Sequence, residues 1–361
     1  MQIRVQSIKK TQRERFTMRI ALDAMGGDFA PGPIVSGAVQ AVNDSPELIV
    51  LLVGQEDRIL AELSTIESSG IVVDRERLPI VHSAEVIGME EKPVEALRSK
   101  RDNSISKTWG LMATGKADAV VSAGNTGAMV ASGLFNAKMF LPGVRRPGIA
   151  AIFPSNQGPV VLIDVGANMA PKPEDLYQYG LMGAVYAEKI LGVTDPKIGL
   201  LNVGAEDDKG NDLVRGTREL FMNGPNSAKF YGNVEGRDVY DGHARVIVSD
   251  GFTGNILLKG GEGAVEFLFA ALRETMAKMM VELPPESAAK VAEGVKQLKR
   301  RYEYKEFGGA PLLGIRGACI ICHGSSDDRA IRNALRVAAD IGHSGVNAEI
   351  TKMLASTVSD S

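Results

Sequence analysis

The sequence predicts a doubly wound α/β fold, a mostly parallel sheet with helices on both faces. Three observations carry this. Short runs rich in Val, Ile and Leu recur along the chain, apolar on consecutive positions as parallel strands covered on both faces require. Helix-like segments separate them, at 34–42, 94–108, 173–191 and 212–222. There are no hairpin signals, and with only 2 cysteines no disulfide framework competes with a buried core.

Taken in order, the first runs are MRIALDAMGGD from Met18, ELIVLLVGQED from Glu47, LPIVHSAEVI from Leu78 and ADAVVSAGNTGA from Ala117. GPVVLIDVGAN from Gly158, PKIGLLNVGAED from Pro196 and RVIVSDGFTGN from Arg245 follow. Most of them end in a polar turn that contains Gly. In open α/β sheets ligands sit outside the carboxyl ends of the strands. Five such turns are expected to form one crevice: Asp23 with Asp28, Gly124-Asn125-Thr126-Gly127, Asp164 with Asn168, Asn202 with Glu206, and Asp250 with Thr253 and Asn255. Glycine lets backbone approach a ligand, and the helix that follows presents unpaired N–H groups to an anion. Each aspartate either orients a ligand group or caps its helix.

One region departs from this construction. Val265, Leu268, Phe269, Leu272, Met276 and Met279 fall at helical spacing, Pro284-Pro285 turns the chain, and Ala288, Val291, Val295 and Leu298 make a second stripe. This predicts a helical hairpin over about 264–300, protruding from the α/β domain at 18–345. Its apolar stripe is core, a dimer interface or a membrane-surface contact. Residues 1–17 form a basic leader without an apolar core, and Met18 opens a natural first strand. Residues 346–361 read as a tail.

A net charge of -3 argues against a nucleic-acid protein. The longest uncharged stretch, 119–137, carries Ser, Asn, Thr and Gly and is a poor membrane span. No Ser-His-Asp or Cys-His set stands out, and AMGGDFAPG lacks the glycine spacing of a dinucleotide fingerprint, against a dehydrogenase.

In order along the chain, IALDAMGGDFAPGPIVSGAV, SAGNTGAMVASG, DVGAN, NVGAEDDKGNDLVR, SDGFTGNILLK and CHGSSDDRAIRNAL resemble the phosphate acyltransferases of bacterial phospholipid synthesis, the PlsX family. The resemblance runs from about Met18 to Ile341. It implies transfer of a long-chain fatty acyl group from acyl carrier protein to inorganic phosphate, giving acyl phosphate for a membrane-bound glycerol-phosphate acyltransferase. It also implies an α/β/α fold similar to phosphotransacetylases and to isocitrate and isopropylmalate dehydrogenases. A cytoplasmic homodimer, loosely held at the inner face of the membrane, is expected, with no metal and no organic cofactor. The competing readings are a dehydrogenase or acetyl-transferring phosphotransacetylase on the related fold, and a non-catalytic membrane-surface scaffold.

Phosphate is already an anion at neutral pH, so acyl transfer to it needs no enzymic nucleophile. It needs an anion cradle, donors for the developing oxyanion and a proton for the leaving thiolate. The cradle is expected at Gly124, Asn125, Thr126 and Gly127, with Lys100 and Lys209 either as cations there or as solvated surface charges. Asn168, Asn202 and Asn255 are candidate donors. Arg98 with Arg101, or Arg145 with Arg146, would meet an acidic carrier protein.

The stretch ACIICHGSSDD contains Cys319-x-x-Cys322-His323, on paper a haem attachment motif. No export signal, second axial ligand or gathered metal ligands accompany it. The two cysteines are expected in strand core, and His323 as a general acid or hydrogen-bond donor near the leaving thiolate, or as a structural histidine. The resembled family commonly has lysine two residues before this histidine; this chain has Ile321.

Overall fold

The computed structural model describes residues 17–280, 283–302 and 308–357. Residues 1–16 of the 1–17 leader and the last four residues of the 346–361 tail lie outside them. The first part of the chain contains β1 (Met18–Asp23), α1 (Gly32–Asp44), β2 (Leu48–Gly54), α2 (Glu56–Ser68), β3 (Ile80–His82), α3 (Pro93–Ser99) and α4 (Ser104–Ala113). Next come β4 (Ala119–Ser122), α5 (Thr126–Leu134), β5 (Gly148–Phe153), β6 (Val160–Ile163) and α6 (Pro173–Lys189). β7 (Ile198–Leu201), α7 (Asp212–Asn223), β8 (Phe230–Val234) and β9 (Val246–Val248) lead to the long helix α8 (Gly251–Met280). The chain closes with α9 (Pro285–Tyr302), β10 (Ala310–Leu313), β11 (Ala318–Ile321), α10 (Asp328–Ser344) and α11 (Val346–Ser356).

All these strands join one sheet in the order β3-β2-β1-β4-β11-β10-β5-β6-β9-β7-β8. Successive side chains of a strand point to opposite faces, and both faces are covered. Ile20 and Leu22 enter one apolar layer while Ala21 enters the other. On the first face Tyr179, Tyr186 and Phe221 are fully buried, with the Phe221 ring stacked 5.0 Å from Phe230.

The sheet is not uniformly parallel. β10 pairs antiparallel with both β11 and β5, and β5 pairs antiparallel with β6. Consequently β6, β9 and β7, parallel to one another, run against β5, β11, β4 and β1. β5 and β6 form a hairpin through 154–159, where Gly158 has φ +109, and β10 and β11 form another through 314–317, with Gly314 at +95 and Gly317 at +77, so the chain does hold hairpins, against the expectation of none. Consecutive burial looks the same in either direction, and this is why the reversal was invisible in the sequence.

Two segments also differ from expectation. The helix read at 94–108 is broken into α3 and α4, because the Asn103 side chain accepts from Ser106 N at 2.7 Å and caps a new helix. Much of the segment read as a tail is helix α11, which buries Val346, Ile350 and Leu354.

The hairpin read at 264–300 is real and longer. α8 is 30 residues, about 45 Å at 1.5 Å per residue. Its buried positions are confined to Gly251, Gly254 and Leu258. The helix starts at the end of β9, runs along the strands, and leaves the sheet near Phe153, where its remaining turns and α9 project.

Candidate active site

Asp23 ends β1 with its side chain 1% exposed. Burial pushes its carboxyl above the usual carboxylate range, opposed by hydrogen bonds from Ser104, Ser122, Met25 and Gly26. The Ser122 hydroxyl donates to Asp23 at 2.7 Å and accepts from Gly124 N at 3.0 Å, tying the end of β1 to the end of β4. Backbones meet here: a Cβ on Gly26 would sit 2.5 Å from Gly124 N, and Gly27 has φ +117. Only glycine satisfies both conditions. Asp28 N donates to Gly324 O at 2.8 Å, which brings in the turn after β11. Thus three strand ends form one polar floor.

Asn125 caps α5, its Oδ1 accepting from Ala128 N at 3.0 Å. Its Nδ2 donates to the carbonyls of Gly88, Met89 and Glu91 at 3.2, 3.1 and 2.9 Å. The side chain is therefore spent on structure, holding the 86–91 loop beside the polar floor. Lys100 serves the same loop: Nζ donates to Val86 O at 2.7 Å and to the Glu91 carboxylate at 2.6 Å. That ammonium holds the Glu91 carboxyl below its ordinary range. Both residues position the site. The groups left for an anion are the N–H groups of Thr126 and Gly127, which begin α5 and have no partner within the helix, and the exposed Thr126 hydroxyl.

His323 follows β11 and is exposed. Its Nδ1 accepts from Ser325 N at 3.2 Å and lies 2.8 Å from Ser325 Oγ. Those contacts assign the proton of the neutral ring to Nε2, so the outward nitrogen is a donor. Beside it opens a cavity of about 660 Å³, within the roughly 300–1,000 Å³ of small-molecule sites. Phe153 and Leu258 line its inner end, Val265, Phe269 and Met276 of α8 one wall, and Val295 of α9 another; His323 and Ser325 belong to the same lining. The oily cavity thus reaches the turn after β11, whose Gly324 also meets the turn after β1.

Similarity to known proteins shows the family. Residues 18–349 match the family described as fatty acid synthesis protein. A phosphate acyltransferase of Heliobacterium modesticaldum is 47% identical over 322 residues, covering 89% of this chain and 93% of the relative. Another, from Desulforamulus reducens, is 43% identical over 337 residues, covering 93% of this chain and 97% of the relative.

The chain belongs to the phosphate acyltransferase family.

Among solved structures it is similar in fold to a phosphotransacetylase from Streptococcus pyogenes, TM-score 0.57 at 19% identity, covering 91% of this chain and 96% of that one. The EutD phosphotransacetylase from Staphylococcus aureus gives 0.53 at 14%, covering 90% and 94%. The acyltransferase is accordingly an α/β enzyme of that fold.

The expected single crevice does not form. Because β6, β9 and β7 run against β5, the turns of Asp164, Asn202 and Asp250 lie toward the start of β5, while the cavity lies at its end. Asp164, raised by burial, accepts from Ile149, Gly166, Ala167 and Asn168 N–H groups at 2.7–3.1 Å and organises its own turn. Asn168 Nδ2 reaches Pro147 O at 2.8 Å. Asp250 accepts from Phe252 N, Thr253 N and Thr253 Oγ1, capping α8. Asn202 Nδ2 donates to Lys209 O at 3.1 Å, and Glu206 O accepts from Asn233. Asn255 is exposed beside Gly166, and Lys209 is exposed in the Asn202 group. In the described chain Asp164, Asn168, Asp250 and Asn255 form one group and Asn202, Glu206 and Lys209 another, and both lie at the strand ends opposite those of Asn125 and His323.

Cys319 lies within β11 and Cys322 directly follows it, both buried as expected. Burial raises both thiols, Cys322 to about 12. No group of three or more His, Cys, Asp or Glu fit to hold a metal occurs among the described residues. Both thiols should therefore stay unmodified by a thiol-reactive disulfide reagent at pH 8 in the folded acyltransferase and react after unfolding in guanidinium. Rapid reaction of either one before unfolding would contradict their burial. The sequence missed the cavity walls of Phe153 and Tyr240; the stripe of Val265, Phe269 and Met276 was visible, but not what it faces.

Proposed function

We propose that this acyltransferase moves a long-chain fatty acyl group from acyl carrier protein to inorganic phosphate. A phosphate oxygen attacks the thioester carbonyl carbon, the carbon–sulfur bond breaks, and the carrier's thiolate leaves and takes a proton. Acyl phosphate is the second product, suited to a membrane-bound glycerol-phosphate acyltransferase. The observation that carries this reading is the shared His323–Ser325 turn, lining an apolar cavity on one side and adjoining the β1–β4 polar floor on the other. Thr126 and Gly127 N–H groups would hold phosphate, and His323 Nε2–H would face the leaving sulfur or the oxyanion. Incubating the chain with acyl carrier protein thioester tests it: thiol release that requires inorganic phosphate is expected, and phosphate-independent or absent release in folded protein would refute it.

The carrier protein is acidic and would need a basic landing surface. Arg145 is already engaged by Asp175 at 3.0 Å, whereas Arg98 and Arg101 are exposed and have no ion pair among the described residues. They flank the Lys100-held loop. Reversing both to Glu should raise KM for the carrier thioester about tenfold at low salt and leave KM for phosphate unchanged. An unchanged carrier KM would remove this surface.

The reading also includes a cytoplasmic homodimer with a loose contact to the inner membrane face. No described helix is long and apolar enough to cross a membrane. Phe267, Leu268 and Met279 on α8 are exposed and support a surface contact.

A further inference from the structure

We propose that Met276 and Met280 set the length of acyl chain this enzyme accepts, by forming the outer end of the cavity under the hairpin. The inference rests on the acyl-transfer reading and deepens it.

The cavity has a direction. At its inner end Gly261 packs on the body of the fold: a Cβ there would meet Tyr240 OH at 2.8 Å and Phe153 at 3.2 Å. Ile152, Phe153 and Leu258 are buried, so the sheet closes that end. An alkyl chain whose carbonyl sits at His323 can therefore extend only outward, between α8 and α9. Met276 lies fifteen residues beyond Gly261 and Met280 nineteen, about 22 and 28 Å along the helix. Both line the cavity, as do Arg273 and Lys296. Long charged side chains lay their methylenes on apolar surface and keep the charge in water, so Glu266, Arg273 and Lys296 edge the cavity, and its apolar lining on α8 stops at Met276 and Met280. Methylenes up to that point leave water; methylenes past it gain nothing. Methionine is deformable, which makes the limit graded rather than abrupt.

The test measures kcat/KM for phosphate-dependent thiol release from carrier thioesters spanning medium to long acyl chains. Met276→Trp should lower the long-to-medium ratio by roughly tenfold or more, since a pocket discriminates on that scale for a methylene or two. Val295→Trp, entering the same cavity from α9, should shift the ratio the same way, which guards against a local fault in α8. Phe267→Ala, on the outward face, should leave the ratio where it is. An unchanged ratio in both Trp variants, or equal loss at every chain length, overturns the proposal while leaving the acyl-transfer reading intact. If the unaltered enzyme releases no thiol from any chain length, the underlying reaction fails instead, and the length limit falls with it.

Discussion

Replacing His323 with Ala should lower kcat for acyl transfer by roughly 10²–10³-fold, the usual cost of removing one aimed donor from a developing charge. KM for phosphate should change little, because Thr126 and Gly127, not His323, are placed to hold it. The ring is oriented by Ser325, whose backbone N–H occupies Nδ1 and leaves Nε2–H facing outward. A glutamine at the same position keeps an N–H donor but cannot deliver a proton. His323→Gln should therefore recover about tenfold over the alanine variant, the worth of one hydrogen bond. If Ala and Gln are equally impaired, His323 acts by proton transfer and the donor assignment fails; if neither is impaired, His323 is structural.

Asn125→Ala should act differently, through the loop at 86–91. It removes a helix cap and three carbonyl contacts, and stability should fall by about 2–3 kcal/mol. With Met89 no longer held beside Gly324, where its Cε lies 2.8 Å from a built Cβ, turnover should drop about 100-fold, as for a misplacement of about 1 Å. Asn125→Asp keeps the cap and inverts the loop contacts. Its carboxylate still caps Ala128 but cannot donate to Gly88, Met89 and Glu91. Its second oxygen would face three carbonyl oxygens at a nearly buried site, so thermal unfolding should show a stability loss at least as large as in the alanine variant, and kcat should fall as far. An aspartate variant with full activity would show that the loop contacts do not matter.

How much of this was legible in the sequence differs by level. The strands with Val, Ile and Leu runs were readable because burial on both faces leaves no alternation to confuse them. β5, reading GIAAIF, and β10, reading APLL, are followed by hairpin turns at 154–159 and 314–317 that look like the Gly turns elsewhere, and with them went the reversal of strand direction. That reversal is what parts Asp164, Asn202 and Asp250 from Asn125 and His323. Identical local chemistry appears in both groups, since a strand ending in a capped helix needs Asp, Asn and Gly wherever it points.

The residues of the site were found more easily than their work. Asn125 stood out in its motif, but its partners at 88–91 lie more than thirty positions upstream, and no local pattern encodes them. For Lys100 the sequence offers a cation for the phosphate or the oxyanion, or a solvated surface charge; the side chain is bonded to Glu91 and Val86. The stripe on α8 was plain at helical spacing. A stripe facing core, a twin or a cavity is the same stripe, and only the fold puts His323 at its inner end.

A crystal structure of the chain soaked in inorganic phosphate tests the central claim most directly. Phosphate is expected within hydrogen-bonding reach of the Thr126 and Gly127 N–H groups, next to the His323 turn. Phosphate bound instead among the Asp164, Asn202 and Asp250 turns, with none at α5, would contradict the account.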